Sequence, residues 1–121
     1  MSFKYYNNNP LSKEEQDCVT RAIALASGYS YAEIQDKLYY TSQLLECEAL
    51  CICCYHHLID YVFNYTRLPC KGYTVGEIVS KYDKCTLLIR IDGHLTCAID
   101  GTLFDLWDAS DKKADIVWVV N

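Results

Sequence analysis

Apolar positions in this chain fall at helical spacing in the first two thirds and at strand spacing in the last third. Val19, Ala22, Ile23 and Ala26 recur at i, i+3, i+4 and i+7, one face of a helix. Its start has two readings. Ser12-Lys-Glu-Glu15 fits a capping box after a polar, irregular lead-in at 1–11, whose Asn7-Asn8-Asn9-Pro10 is the clearest break. Asp17 offers a carboxylate cap nearer the first apolar position. A start at Asp17 puts the Cys18 sulfur at the positive end of the helix; a start at Ser12 puts it inside the second turn. Gly28 is the C-cap candidate, and Ser30-Tyr-Ala-Glu33 opens a short helix with Ile34 and Leu38 facing inward. Cys47, Cys51, Cys54, Leu58, Tyr61 and Tyr65 then step by four and three, which predicts a longer helix bounded by Pro69. Thr74-Val-Gly-Glu77 is a further capping box, with Ile78 and Val79 as anchors.

From Cys85 the period changes. Cys85 to Ile91 is a compact apolar and β-branched run, Asp92-Gly93 is a hairpin signal, and His94 to Ile99 continues as a strand. Asp100-Gly101 repeats the turn before Thr102 to Trp107, and Ile116 to Val120 is the last strand. Helices followed by an antiparallel meander predict an α+β fold, with the N-terminal helices packed on one face of the C-terminal sheet. With 121 residues the chain reads as one domain, 1–121: the lead-in to residue 11, a mainly helical part at 12–82, and antiparallel strands at 85–120.

Composition narrows the function. A net charge of −5, with no concentration of Lys and Arg, argues against nucleic-acid binding. The first residues lack the apolar core of a secretory signal and no stretch is long and apolar enough to span a bilayer, so a cytoplasmic protein without membrane association is expected. Eight cysteines in a reducing compartment read as core residues, metal ligands or a nucleophile rather than as disulfides. No cofactor is called for.

A thiol nucleophile needs a base within hydrogen-bond reach and a group to orient that base. Cys18 and His94 fit the first requirement. With Asp100-Gly101 at the centre of a hairpin, pairing places His94 opposite Trp107 and Thr96 opposite Asp105, so that Asp105 is a diagonal neighbour of His94. Asp105 is then the orienting carboxylate, with Asp108 the runner-up. Asp17-Cys18-Val-Thr-Arg21-Ala-Ile opening a helix, Gly93-His94, and Asp100-Gly-Thr-Leu-Phe-Asp105-Leu-Trp-Asp108 together resemble small papain-like proteins of phages and prophages. More widely they resemble the papain-like superfamily, including the leader-cleaving peptidases of bacteriocin export. The resemblance implies Cys18 as nucleophile, His94 as base and Asp105 as orienting residue, acting on a peptide or protein substrate. Many such peptidases carry Gln six positions before the Cys, where this chain has Ser12; Gln16 lies too near the Cys for an easy equivalence, Asn9 in the preceding loop is an alternative, and the oxyanion donor is left unassigned.

The expected function is thus a cysteine hydrolase acting on an amide, isopeptide or thioester bond. The alternative is a catalytically inactive papain-like module that engages a host protein. A third reading, a zinc-stabilised interaction domain, draws on Cys47-x3-Cys51-x-Cys53-Cys54-x-His56-His57, with Cys51, Cys54 and His57 as candidate ligands. Helix core accounts for the Cys47, Cys51 and Cys54 stripe without metal. Arg21 reads as an i,i+4 partner of Asp17 or a link to a sheet carboxylate, and Trp107 as a wall of the cleft.

Overall fold

The computed structural model describes residues 1–121. Its centre is a six-stranded mixed sheet ordered β1-β5-β4-β3-β6-β2. The strands are β1 (Ser2–Tyr5), β2 (Thr66–Leu68), β3 (Thr86–Ile91), β4 (His94–Ile99), β5 (Thr102–Asp105) and β6 (Ile116–Val119). The antiparallel meander is present as β3-β4-β5, and its second hairpin has the expected register: Ile99 faces Thr102, Ala98 faces Leu103 and Cys97 faces Phe104. Asp100 and Gly101 both have positive φ, 49° and 82°, as a type I′ turn requires.

Three features depart from the sequence reading. The irregular lead-in is partly a strand, since β1 pairs in parallel with β5 and sets Tyr5 beside Asp105. β6 does not extend the meander; it returns to the other side of β3, and β2 follows it at the edge. Both strands alternate too briefly to declare their partners in sequence. Finally, the helices occupy both faces rather than one. α1 (Cys18–Ser27), α2 (Tyr31–Leu45) and α3 (Ile52–His57) bury Ile23, Leu38 and Cys54 against Leu88, Leu95, Cys97 and Trp118. α4 (Val75–Lys81) buries Ile78 and Val79 with Leu87, Ile89, Ala98 and Leu103 in a second core. The unbroken run Leu87-Leu88-Ile89 explains this, because a strand apolar on both faces needs a cover on each.

The capping boxes at Ser30 and Thr74 form in full, each hydroxyl accepting from the Glu three residues on. The Ser30 box, however, opens a helix of 15 residues rather than a short one. That helix uses up the chain to Leu45, so the single long helix expected through residues 47–65 does not form. Glu46 turns into the left-handed region with φ 55°, Cys51 is extended, and α3 passes into a π-helical turn over Leu58–Val62. Tyr61, expected to face inward, is exposed. No helix is long and apolar enough to cross a membrane.

Candidate active site

Helix α1 begins at Cys18, so the thiol is on its first turn. The Ser12 capping box is not formed. Asp17 occupies the cap position, yet its side chain makes no capping hydrogen bond, because the carboxylate is already committed. It accepts from Arg21 Nε at 2.6 Å, Asn9 Nδ2 at 2.9 Å and the Tyr31 hydroxyl at 2.8 Å. The first amides of α1 are therefore left without a side-chain acceptor, and the partial positive charge of the helix end acts on the Cys18 sulfur.

β4 and β5 deliver the other two residues. His94 follows the Asp92-Gly93 turn as the first residue of β4, pairing with Ile91. Its Nε2 lies 2.6 Å from Asp105 Oδ2, the diagonal contact that the hairpin register foretold. This fixes the ring and leaves Nδ1 as the nitrogen available to the thiol. Trp107 packs on the ring at 4.9 Å between centroids. Asp105 also accepts from the backbone N–H of Leu106 at 2.7 Å and from Arg21 Nη1 at 3.3 Å. Arg21 thus takes both roles read for it, joining Asp17 on its own helix to Asp105 on the sheet, with all three side chains at most 8% exposed. Asp108 lies outside this set; it is exposed and caps the backbone N–H of Ser110.

The electrostatics of the pair point in opposite senses. Burial alone would raise the Cys18 thiol, but interaction with His94, the backbone N–H of Leu95 and the charges of His94 and Arg21 hold it below the ordinary thiol range. Burial alone would lower His94, yet Asp105 and Cys18, through hydrogen bonding and charge, push it up to about 9. Asp105 resists its own burial in the same way: the His94 contact and charge keep its carboxyl below the usual range. A depressed thiol beside a raised imidazole favours thiolate and imidazolium over the neutral pair. The Cys18 thiol and the His94 ring are close enough for each to shift the other's ionisation.

Cys18 and His94 open into a cleft of about 530 Å³. Trp107 walls it, as the register implied, together with Leu50, Ile52, Tyr55 and Arg90. Sequence reasoning passed over these last four. Arg90 alone carried a signal, a lone charge in an apolar strand run; Leu50, Ile52 and Tyr55 reach the cleft only because the chain breaks at residues 46–51. Gln16 also lines the cleft, with an exposed side chain. Asn9 does not serve as a free donor: it is buried, and its amide nitrogen is spent on Glu15 and Asp17.

Cys51, Cys54 and His57 are not brought together as a ligand set. Cys54 is buried with its thiol donating to the Leu38 carbonyl at 3.3 Å, and the His57 ring lies against Tyr61. The thiols that converge are those of Cys47, Cys51 and Cys53. The helix break is the reason: Cys51 precedes α3 instead of lying within a continuous helical face. All eight cysteines are free thiols.

The chain matches no family model, no curated protein and no solved structure.

Proposed function

We propose that this protein is a papain-like cysteine hydrolase that cleaves an amide, isopeptide or thioester bond through an acyl-enzyme on Cys18. The observation that carries the reading is the joint arrangement of a helix-start thiol and a strand-start imidazole held by a buried carboxylate at 2.6 Å. In the reaction the Cys18 sulfur attacks the substrate carbonyl carbon, its proton residing on His94. The oxyanion of the tetrahedral intermediate takes hydrogen bonds from the uncapped amides at the start of α1 and from the Gln16 side chain. Collapse breaks the bond to the leaving group, which takes the proton from His94. Water, deprotonated by His94, then attacks the acyl carbon, and the thiolate leaves as the carboxylic acid is released. Asp105 holds the ring through both halves.

A substrate for this cleft is a peptide or protein segment, since Trp107, Leu50 and Ile52 offer apolar walls and the Arg90–Asp115 ion pair a polar edge. The resemblance of the Asp17-Cys18, Gly93-His94 and Asp100–Asp108 stretches to small papain-like proteins of phages and prophages favours a phage or prophage protein working in the host cytoplasm, where its thiols stay reduced.

The reading is tested by alkylating Cys18 with iodoacetamide across pH, with each of the eight cysteines resolved by mass spectrometry. Cys18 should react well below the pH at which ordinary thiols ionise, and His94→Ala should abolish that advantage. A Cys18 that is inert, or indifferent to His94→Ala, overturns the hydrolase. The second reading, an inactive module binding a host protein through this cleft, draws on one observation: the Asn9 amide is consumed by structural hydrogen bonds and supplies no oxyanion donor. An activated Cys18 that forms no acyl-enzyme with a panel of activated acyl and peptidyl esters favours it.

A further inference from the structure

We propose that Cys47, Cys51 and Cys53 form a three-thiolate site for a thiophilic d10 cation, Zn2+, which ties down the 46–53 segment that walls the Cys18 cleft. Their ligand atoms all lie within 4.8 Å of one another, and the Sγ atoms of Cys51 and Cys53 are 2.9 Å apart. Sulfurs bound tetrahedrally at about 2.3 Å from zinc stand about 3.8 Å from each other, so side-chain adjustments close the set around one ion. The donors are all sulfur, with no carboxylate among them, which selects a soft ion over Mg2+ or Ca2+.

The backbone arranges this convergence. Glu46 ends α2 in the left-handed region, the Cys51 N–H bonds back to the Glu48 carbonyl, and the resulting turn returns Cys51 and Cys53 toward Cys47. Cys54 lies beside the cluster, but it is buried and its thiol donates to the Leu38 carbonyl, so the protein supplies three ligands and leaves the fourth position to water or to an outside group. Cys47 and Cys51 are half-buried and Cys53 exposed, which gives the ion a path in. Each thiol that coordinates gives its proton to solvent, so binding releases protons and tightens as pH rises.

The consequence for the cleft is mechanical. Leu50 lies between Cys47 and Cys51, and Ile52 between Cys51 and Cys53; both residues line the cleft. An ion held by the three sulfurs fixes their backbone and hence the wall that Leu50 and Ile52 supply. The metal site stands or falls independently of whether Cys18 is a nucleophile.

The test uses the full chain carrying Cys18→Ala, which removes the one thiol that could recruit metal together with His94. The reduced protein is titrated with Zn2+ under native mass spectrometry, and with Co2+ to read the thiolate-to-metal charge-transfer band. One ion per chain is expected. Cys47→Ser, Cys51→Ser and Cys53→Ser should each weaken Zn2+ binding on the order of a hundredfold and bleach the Co2+ band, while Cys85→Ser leaves both unchanged. Amide exchange across 46–53 should slow on Zn2+ addition. Absence of Zn2+ binding, or binding that survives in the Cys51→Ser/Cys53→Ser double variant, overturns the site; unchanged exchange at 46–53 overturns its role in fixing the wall. Because the serine variants alter half-buried or exposed positions, an unchanged far-UV circular dichroism spectrum checks that they fold.

Discussion

Arg21 is the residue on which the candidate site turns, because it neutralises two buried carboxylates that serve different ends. Asp17 anchors Asn9 and Tyr31 around the start of α1, whereas Asp105 holds His94. Replacing Arg21 by Met keeps its bulk but leaves both carboxylates short of a cation, and the expected loss is about 3–5 kcal/mol in a urea unfolding series. At Asp105 the expected effect is on titration. Since its hydrogen bond and charge raise His94 to about 9, Asp105→Asn should bring the His94 midpoint down, read from its ring protons by NMR, and should move the Cys18 alkylation midpoint up. The stability consequence has a definite sign. A histidine whose folded pKa is raised stabilises the fold fully below the ordinary histidine range of about 6.5, and that contribution fades as pH rises through about 9. Asp105, held low, contributes above the ordinary carboxyl range of about 3.9 and loses its contribution as pH falls below it. Denaturation midpoints in a Cys18→Ala background, where the thiol does not titrate, should therefore fall at both ends; because Cys18 is itself one cause of the raised histidine, the alkaline fall should come below about 9.

At the scale of elements, caps and turns decide where the chemistry sits. The capping boxes of α2 and α4 are complete, so Ser30→Ala and Thr74→Ala should each cost about 1 kcal/mol in chemical denaturation without altering Cys18 alkylation. Gly28 ends α1 with φ 81°, and an added Cβ would meet no atom within 4 Å. Gly28→Ala therefore probes backbone strain alone, with an expected destabilisation of about 1 kcal/mol. The uncapped start of α1 is the counterpart. A helix end with no side-chain acceptor sacrifices some stability, and here the partial positive charge of that end lies at the residue that carries the thiol.

On the scale of the whole molecule, the two helical layers trap a sheet whose central strands carry the site at one end. β1 is the least expected part of that support. It pairs with β5 along its length, and the Tyr6 N–H donates to the Asp105 carbonyl at 2.9 Å. Deleting residues 1–6 should therefore lower stability and also raise the Cys18 alkylation midpoint, by loosening Asp105. A truncated chain with wild-type Cys18 reactivity would show that β5 is positioned without it.

Local rules in the sequence determined much of this protein. The Ser30 and Thr74 boxes, the Gly28 cap and the two Asp-Gly hairpin turns depend on neighbours a few residues away, and all are legible there. The hairpin register even placed Asp105 beside His94, because a two-residue turn fixes which residues face each other. Tertiary structure decided the rest. Which strand β6 and β1 would choose, that α4 would cover the second face, that α2 would run on to Leu45 and bring Cys47, Cys51 and Cys53 together, which of two starts α1 would take, and that Asp17 would also hold Asn9 and Tyr31 all depend on competition among more distant groups for the same surfaces and hydrogen bonds. A local pattern offers such partners to a residue, and only the folded chain, in which buried polar and apolar groups must all be satisfied at once, selects among them.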